Sequence, residues 1–258
     1  MSFVKFIEEV AYGAGKIVRE KFSEPFQWKE KTDRGDIVTE VDELSEKYII
    51  DRISKEFPDD GYLAEESGNT NINSKRIWII DPIDGTLNYM KRIPIFSISI
   101  AAYENGQVSA GVVYDPIHDE MFSAQRGYGT TVNGEKITID NVEDIENRII
   151  TVSWVQSKAD RTAFVKYIDE ISKETSHFRR LGSAALNMAY IADGRLNAYL
   201  QGGLNPWDIS AGLVIIEEAG GIVTDFNGNP INATDPIIDI VTACPAVHKQ
   251  LMEQVINR

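Results

Sequence analysis

Residues 76–86 read Arg76-Ile77-Trp78-Ile79-Ile80-Asp81-Pro82-Ile83-Asp84-Gly85-Thr86. A short apolar run bounded by charge reads as a buried strand. Here it passes without a spacer into two carboxylates. Asp-Pro and Asp-Gly are ordinary turn pairs, so either acid alone fits a turn. Taken together, on a backbone that Pro82 restricts, they predict two carboxylates and the Ile83 carbonyl directed to one place on a tight turn. Strand ends of this kind are where a rigid scaffold commonly presents functional groups.

Upstream, Phe3, Phe6, Ile7, Val10, Ala14, Ile17 and Val18 recur at three- and four-residue spacing and predict an amphipathic helix over 2–22. Leu44, Tyr48, Ile49, Ile53 and Phe57 repeat the pattern and predict a helix over 40–57, stopped by Pro58. The polar stretch 23–39 between them lacks core periodicity and reads as a long loop, functional or mobile. Downstream, 95–139 reads as short strands broken at Asn105-Gly106, Asp115-Pro116, Gly127-Tyr128-Gly129 and Asn133-Gly134. From 149 the style changes. Strands over 149–154, 177–180, 195–200, 222–226 and 238–243 alternate with helices over 160–175, 183–193 and 207–219, and Pro245 opens a last helix. The expectation is a mixed α+β fold with two sheets layered between helices. Residues 1–258 read as one unit, with subdomains near 1–145 and 146–258 sharing an interface.

The 258 residues carry 40 acids against 26 lysines and arginines, a net charge of −14. A field of that sign repels polyanions, so neither nucleic acid nor an anionic membrane is an expected partner. Cys244 is the single cysteine, which rules out an internal disulfide and a cysteine metal site. The opening Met1–Val10 is amphipathic and charged rather than signal-like, and no apolar run reaches spanning length, so a cytoplasmic location is expected. Asn232-Ala233-Thr234 reads as a loop that happens to match a glycosylation sequon.

Four acids stand at element ends: Glu65 after Tyr62-Leu63-Ala64, Asp81 and Asp84 in the opening stretch, and Asp208 after Pro206-Trp207. Asp208 also fits a helix cap. Such hard oxygen ligands suit magnesium, whereas His118, His177 and His248 fall in no ligand spacing. Carboxylates gathered without a cation repel one another and hold protons. Bound cations would neutralise them and turn a positive face to a phosphate, which reconciles an acidic chain with an anionic substrate. Gly85-Thr86 leads into a helix whose amides suit phosphate oxygens. Gly182-Ser183-Ala184-Ala185 fits either a second nest of that kind or close helix packing. No Gly-x-Ser-x-Gly, Cys/His pair or Walker loop argues for a covalent nucleophile, which leaves direct hydrolysis by water.

Ala64-Glu65-Glu66-Ser67, Trp78 through Thr86, and Pro206-Trp207-Asp208 resemble, in order and spacing, the signatures of the inositol monophosphatases. Asp36 through Asp42, Gly182 through Ala185, and Glu217-Glu218-Ala219-Gly220-Gly221 match further family segments, so the resemblance spans essentially the whole chain. It implies a layered α-β-α-β-α sandwich of the sugar-phosphatase type and magnesium-dependent hydrolysis of a small phosphorylated polyol or sugar. The ligands it implies are Glu65, Asp81 and the Ile83 carbonyl for one Mg²⁺, and Asp81, Asp84 and Asp208 for a second. A third, weaker ion would sit near Glu65. Asp42 and Thr86 would orient the attacking water, with Glu65 and Lys31 beside them. Asp84, Gly85, Thr86, Gly182, Ser183, Ala184, Gln201 and Asp208 would contact substrate. Inositol 1-phosphate is the first expectation and fructose 1,6-bisphosphate the alternative, alone or as a second substrate. 3′-Phosphoadenosine 5′-phosphate or a regulatory binding role stands further back. The resemblance also implies a homodimer and inhibition by lithium. One position departs from it: seven residues before Asp208, many inositol-preferring members carry a glutamate where this chain has Gln201. Gln201 is either a plain strand-end glutamine or a residue that spares a second phosphate the repulsion of a carboxylate.

Overall fold

The computed structural model describes residues 3–31, 37–142, 145–146, 148–153 and 158–256, without the side chains of 158–163. Its elements begin with α1 (Phe3–Phe22), the short strands β1 (Trp28–Glu30) and β2 (Ile37–Thr39), and α2 (Glu40–Glu56). β3 (Gly61–Ala64), β4 (Gly68–Thr70) and β5 (Arg76–Asp84) follow, then the short helix α3 (Thr86–Met90). Next come β6 (Ser97–Glu104), β7 (Gln107–Asp115), β8 (Glu120–Gln125), β9 (Gly129–Val132) and β10 (Glu135–Ile137). The second half runs β11 (Ile150–Ser153), α4 (Lys158–Ile171), β12 (Phe178–Arg179), α5 (Ala184–Ala192) and β13 (Ala198–Leu204). It ends with α6 (Pro206–Glu218), β14 (Ile222–Thr224), β15 (Ile238–Ala243) and α7 (Pro245–Leu251), which continues as a π-helical turn, Met252–Ile256.

An eight-stranded sheet has the order β10-β9-β8-β7-β6-β5-β3-β4, and a five-stranded one the order β12-β11-β13-β15-β14. The period of two along each strand decides what covers each face. Trp78, Ile80, Ile98, Ile100, Ala110 and Val112 turn to α1 and α2, where Ile7, Val10, Ala14, Ile49 and Ile53 meet them. Ile79, Ala101 and Val113 turn the other way, onto α5 and α6. Those two helices are apolar nearly all round because they are covered twice: their far side packs on Tyr199, Leu204 and Ile240 of the smaller sheet. That sheet's outer face, through Val152, Leu200 and Val241, lies against α4, α7 and the π-helical turn. The layers therefore run α-β-α-β-α, as the resemblance implies.

The middle layer sits close to the larger sheet. A Cβ on Gly111 of β7 would fall 2.8 Å from the Ala211 Cα and 2.9 Å from its carbonyl oxygen, so α6 can lie there only over a glycine.

Several boundaries differ from the sequence reading. The stretch expected as a loop over 23–39 contains an antiparallel pair, Trp28 opposite Thr39 and Glu30 opposite Ile37, with Ile37 and Val38 buried. Three-residue strands are too short to show a periodicity. Asp36, at the head of a matched segment, lies outside the described residues, as does Trp154 at the expected end of β11. On α2, Leu44 was expected in the core but is 46% exposed. The helix instead buries Val41, Asp42, Ser45, Glu46, Ile49 and Ile53. Its inward stripe is partly polar, and an apolar template shifts to the wrong face of such a helix. β13 extends beyond the expected end at residue 200 to Leu204, which puts Gln201 within the strand.

Candidate active site

β3 and β5 run parallel, with Ala64 opposite Ile80, and the Glu65 N–H extends the ladder to the Ile80 carbonyl at 3.2 Å. Glu65 and Asp81 thus leave two neighbouring strands side by side. The opening stretch does not turn after Asp81, as expected, but continues as an irregular strand. Asp81 faces Ser99 and Asp84 faces Ser97 on β6, so Pro82 and Ile83 together oppose one residue. In a regular strand, side chains three apart point to opposite faces. The inserted residue of this bulge brings Asp81 and Asp84 to the same one, and Pro82, which has no N–H to give, suits the broken ladder.

Asp208 arrives from the other side, on the first turn of α6. Its Oδ2 accepts the Asn205 N–H at 2.6 Å and closes a capping box. Capping and approach to the other acids are thus the same placement, and the two readings of Asp208 do not compete. Ligand oxygens of Asp81, Asp84 and Asp208 all lie within 4.8 Å of one another. Asp81 and Asp84 are buried. Burial, then the charges of Glu65, Asp84 and Asp208, holds the Asp81 pKa well above the ordinary carboxylate range in the metal-free chain. Burial also lifts Asp84, against the pull of its hydrogen bonds.

Those bonds revise one expectation. The Ala184 N–H donates to Asp84 Oδ1 and the Ala185 N–H to Oδ2, each at 2.9 Å, and the Ser183 hydroxyl donates to Oδ2 as well. The head of α5, read as a phosphate nest or a packing motif, is occupied by the Asp84 carboxylate. Ser183 and Ala184 therefore orient an acid, and Gly182 and Ala184 also line the cleft beside it. Asn88 secures the chain before Gly182, donating to the Leu181 carbonyl at 2.7 Å and to the Ile95 carbonyl at 2.8 Å.

Asp42 and Thr86 are together, as expected. Thr86 Oγ1 lies 3.1 Å from Asp42 Oδ1 and 3.0 Å from the Ile83 carbonyl oxygen. The other Asp42 oxygen accepts the Thr39 N–H at 2.8 Å, in the capping box that opens α2. Burial pushes the Asp42 carboxyl up to about 6, with the Thr39 hydrogen bonds working against it. Gly85, at φ +100°, makes the bend into α3 in a conformation that side chains resist. Glu65 stands outside the three-carboxylate group, and its Oε1 takes the Lys31 ammonium at 2.8 Å. The same ammonium reaches Glu66 Oε1 at 2.6 Å. Burial opposes the Lys31 charge, but Glu65 and Glu66 outweigh it and hold its pKa above the ordinary value.

These groups open on a cleft of about 500 Å³ that Gln201, Arg180, Lys31, Asp84 and Asp208 help to line. Gln201 is half-buried there, and its Oε1 accepts the Tyr199 hydroxyl. Both cations on this wall are engaged: Lys31 with Glu65 and Glu66, and Arg180 with the Ser153 hydroxyl at 3.3 Å. Arg180 and Asn88 were not singled out in the sequence, and Glu66 entered only as part of a matched segment. Arg180 stands two residues before Gly182, and only the fold brings it beside Gln201.

Comparison with known proteins follows the same lines. The model of the inositol monophosphatase family matches residues 2–258. A fructose-1,6-bisphosphatase/inositol-1-monophosphatase of Thermotoga maritima is 45% identical over 205 residues, covering 80% of this chain and 77% of its own. The Nus factor SuhB of Escherichia coli K12 is 38% identical over 219 residues, covering 83% of this chain and 82% of its own. Among solved structures, an IMPase of Thermotoga maritima superposes with a TM-score of 0.89 at 38% identity, covering 100% of this chain and 97% of that one.

Proposed function

Because this chain belongs to the inositol monophosphatase family and is a phosphoric monoester hydrolase, we propose that it hydrolyses inositol 1-phosphate to inositol and phosphate with magnesium. The observation that carries this reading is the convergence of Asp81, Asp84 and Asp208 within 4.8 Å. The donor set fits magnesium: the grouped ligands are all carboxylate oxygens, two of them buried, with no thiolate or imidazole among them. Two ions are proposed, one held by Glu65, Asp81 and the Ile83 carbonyl, the other by Asp81, Asp84 and Asp208, with a weaker third near Glu65. Bound there, magnesium supplies Lewis acidity, lowering the pKa of an attacking water and offsetting charge on the phosphate and leaving oxygens.

The protein's own groups do the rest. Thr86 Oγ1 donates its hydrogen towards Asp42 and offers a lone pair to a water, so the pair can orient that water and draw its proton along one line. Asp42, held near 6 by its burial, can take that proton at neutral pH without holding one beforehand. Ser183, Ala184 and Ala185 keep Asp84 in its rotamer. Gly85 and Thr86 are the proposed phosphate contacts, at the edge of a cleft that Lys31 and Arg180 also line. The test is phosphate release with magnesium across inositol 1-phosphate, fructose 1,6-bisphosphate, glucose 1-phosphate and 3′-phosphoadenosine 5′-phosphate. Inositol 1-phosphate should be turned over and chelator should abolish it; no release from any of the four overturns the reading.

Fructose 1,6-bisphosphate is the second reading, and Gln201 favours it. A carboxylate at that wall would repel a second phosphate about 4 Å away by roughly 1–4 kcal/mol, depending on the local dielectric. The Tyr199 hydroxyl bound to Oε1 leaves the Gln201 amide hydrogens directed elsewhere, as donors for hydroxyl or phosphate oxygens. Gln201→Glu should lower kcat/KM for the bisphosphate about tenfold relative to inositol 1-phosphate, the equivalent of about 1.4 kcal/mol. An unchanged ratio removes the support.

A further inference from the structure

The inward stripe of α2 is partly polar where an apolar one was expected, and each of its polar residues Asp42, Ser45 and Glu46 grips a segment of the site. Asp42 meets Thr86. Ser45, fully buried one turn on, donates to the Pro82 carbonyl at 3.0 Å, inside the bulge that aligns Asp81 with Asp84. Glu46 is 3% exposed, and both its oxygens accept backbone amides: Oε2 from Glu66 and Oε1 from Ser67, each at 2.8 Å. Those are the two amides directly after Glu65. Residues 42, 45 and 46 share a helix face.

We propose that Glu46 is a positioning residue for the metal centre, its buried carboxylate fixing the backbone after β3 so that Glu65 meets Asp81 in a ligating geometry. A buried carboxylate is costly unless it is well hydrogen-bonded, and this one takes two charge-assisted amide bonds from the same short segment. Sequence spacing alone makes Glu46 one more surface acid on a charged helix. Its burial and its two partners set it apart from Glu43, which pairs with Lys29 at the exposed surface. The stripe as a whole ties the β3 and β5 segments to a single rigid helix, so their carboxylates keep one separation before any cation arrives. The inference rests on the metal-dependent reading given above.

The test measures Mn²⁺ binding to the free enzyme by electron paramagnetic resonance, with no substrate present. Glu46→Gln cannot accept both amides, and it should weaken Mn²⁺ affinity about tenfold or more, the scale seen when partners of ligating groups are removed. The magnesium concentration for half-maximal turnover should rise by a similar factor. KM for inositol 1-phosphate at saturating magnesium should stay within about twofold, a split that general loosening of the fold would not produce. Glu43→Gln should leave all three unchanged. Wild-type Mn²⁺ affinity in a folded Glu46→Gln overturns the proposal. Should that variant fail to fold, Glu46→Asp carries the same test, and failure of both to fold makes Glu46 a folding residue and overturns the positioning role. A wild-type protein that binds Mn²⁺ but hydrolyses no phosphate ester would overturn the proposed function and leave this inference standing.

Discussion

Asp84 shows how one side chain can belong to two layers. It leaves β5 of the larger sheet, yet its partners are the hydroxyl and amides at the head of α5 in the second half of the chain. Without a cation, its carboxylate lies within reach of Asp81 and Asp208, and burial raises its pKa against the pull of its hydrogen bonds. Asp84→Asn removes a proposed ligand and also that repulsion, while an amide still accepts one of the two backbone donors. The expected outcome is a loss of turnover of about 10³-fold or more, since the proposed metal at this position would supply most of the rate. The metal-free protein should stay folded, its thermal midpoint within a few degrees of wild type. Magnesium, which should raise the wild-type midpoint, should raise the variant's far less. Turnover at the wild-type rate, or an undiminished magnesium shift, would remove Asp84 from the metal site.

Among the elements, α6 is constrained both at its start and along its buried face. Pro206 and the Asn205–Asp208 capping box begin it, so the helix start and the third acid of the site are set by the same residues. Its buried face then lies on β7, over Gly111. Gly111→Ala places a methyl within 3 Å of backbone that cannot rotate away, so the helix must shift. Overpacking of this kind costs about 1–3 kcal/mol, to be read as a lower urea midpoint at unchanged slope. Displacement of α6 moves Asp208, so magnesium affinity should fall with stability. An unchanged midpoint would mean that the layers yield more easily than their contacts suggest. The same element shows what was legible beforehand. Pro206-Trp207-Asp208 and the run to Glu218 announce the helix in the sequence, and the apolar run of β5 up to Asp81 is equally plain, because propensity and position agree there, although turn chemistry puts its end three residues too early. What stayed hidden depends on long-range placement. The bulge at Pro82–Ile83 needs Ser97–Ser99 as its measure, the Ser183–Asp84 contact joins residues 99 apart, and Glu46 is told from Glu43 only by what packs over it.

At the scale of the molecule, the site is a concentration of buried acid in a chain of net charge −14, and on the proposed reading stability should depend on pH and metal together. The unfolded chain loses an aspartate proton near pH 4, whereas folded Asp42 holds its proton up to about 6. Glu66, lifted by burial and by Glu65, holds its proton to about 7. Asp81 and Asp84 move in the same direction. Between the unfolded and folded values the folded state binds more protons, so each group stabilises the fold fully below about pH 4 and loses that contribution as pH rises through its folded pKa. For Asp42, whose carboxyl moves from near 4 to about 6, the loss is about 3 kcal/mol. Glu120 acts in the opposite sense, because Arg195 holds its pKa down, but its contribution is complete above about pH 5. Repulsion among the remaining acids adds to the loss at higher pH. The metal-free protein should therefore melt at progressively lower temperature from pH 5 to 8. Bound as proposed, magnesium would compete with protons for the ionised carboxylates, so its stabilisation should grow over the same interval, following RT ln(1 + [Mg²⁺]/Kd) with a Kd that falls as the protons leave. Melting curves with chelator and with excess magnesium at pH 5, 6, 7 and 8 should diverge steadily, nearly coinciding at the acid end and standing furthest apart at pH 8. A metal-free midpoint that rises across that range, or a magnesium shift that is largest at pH 5, would show that the buried acids do not hold their protons and that the site is neutralised by other means.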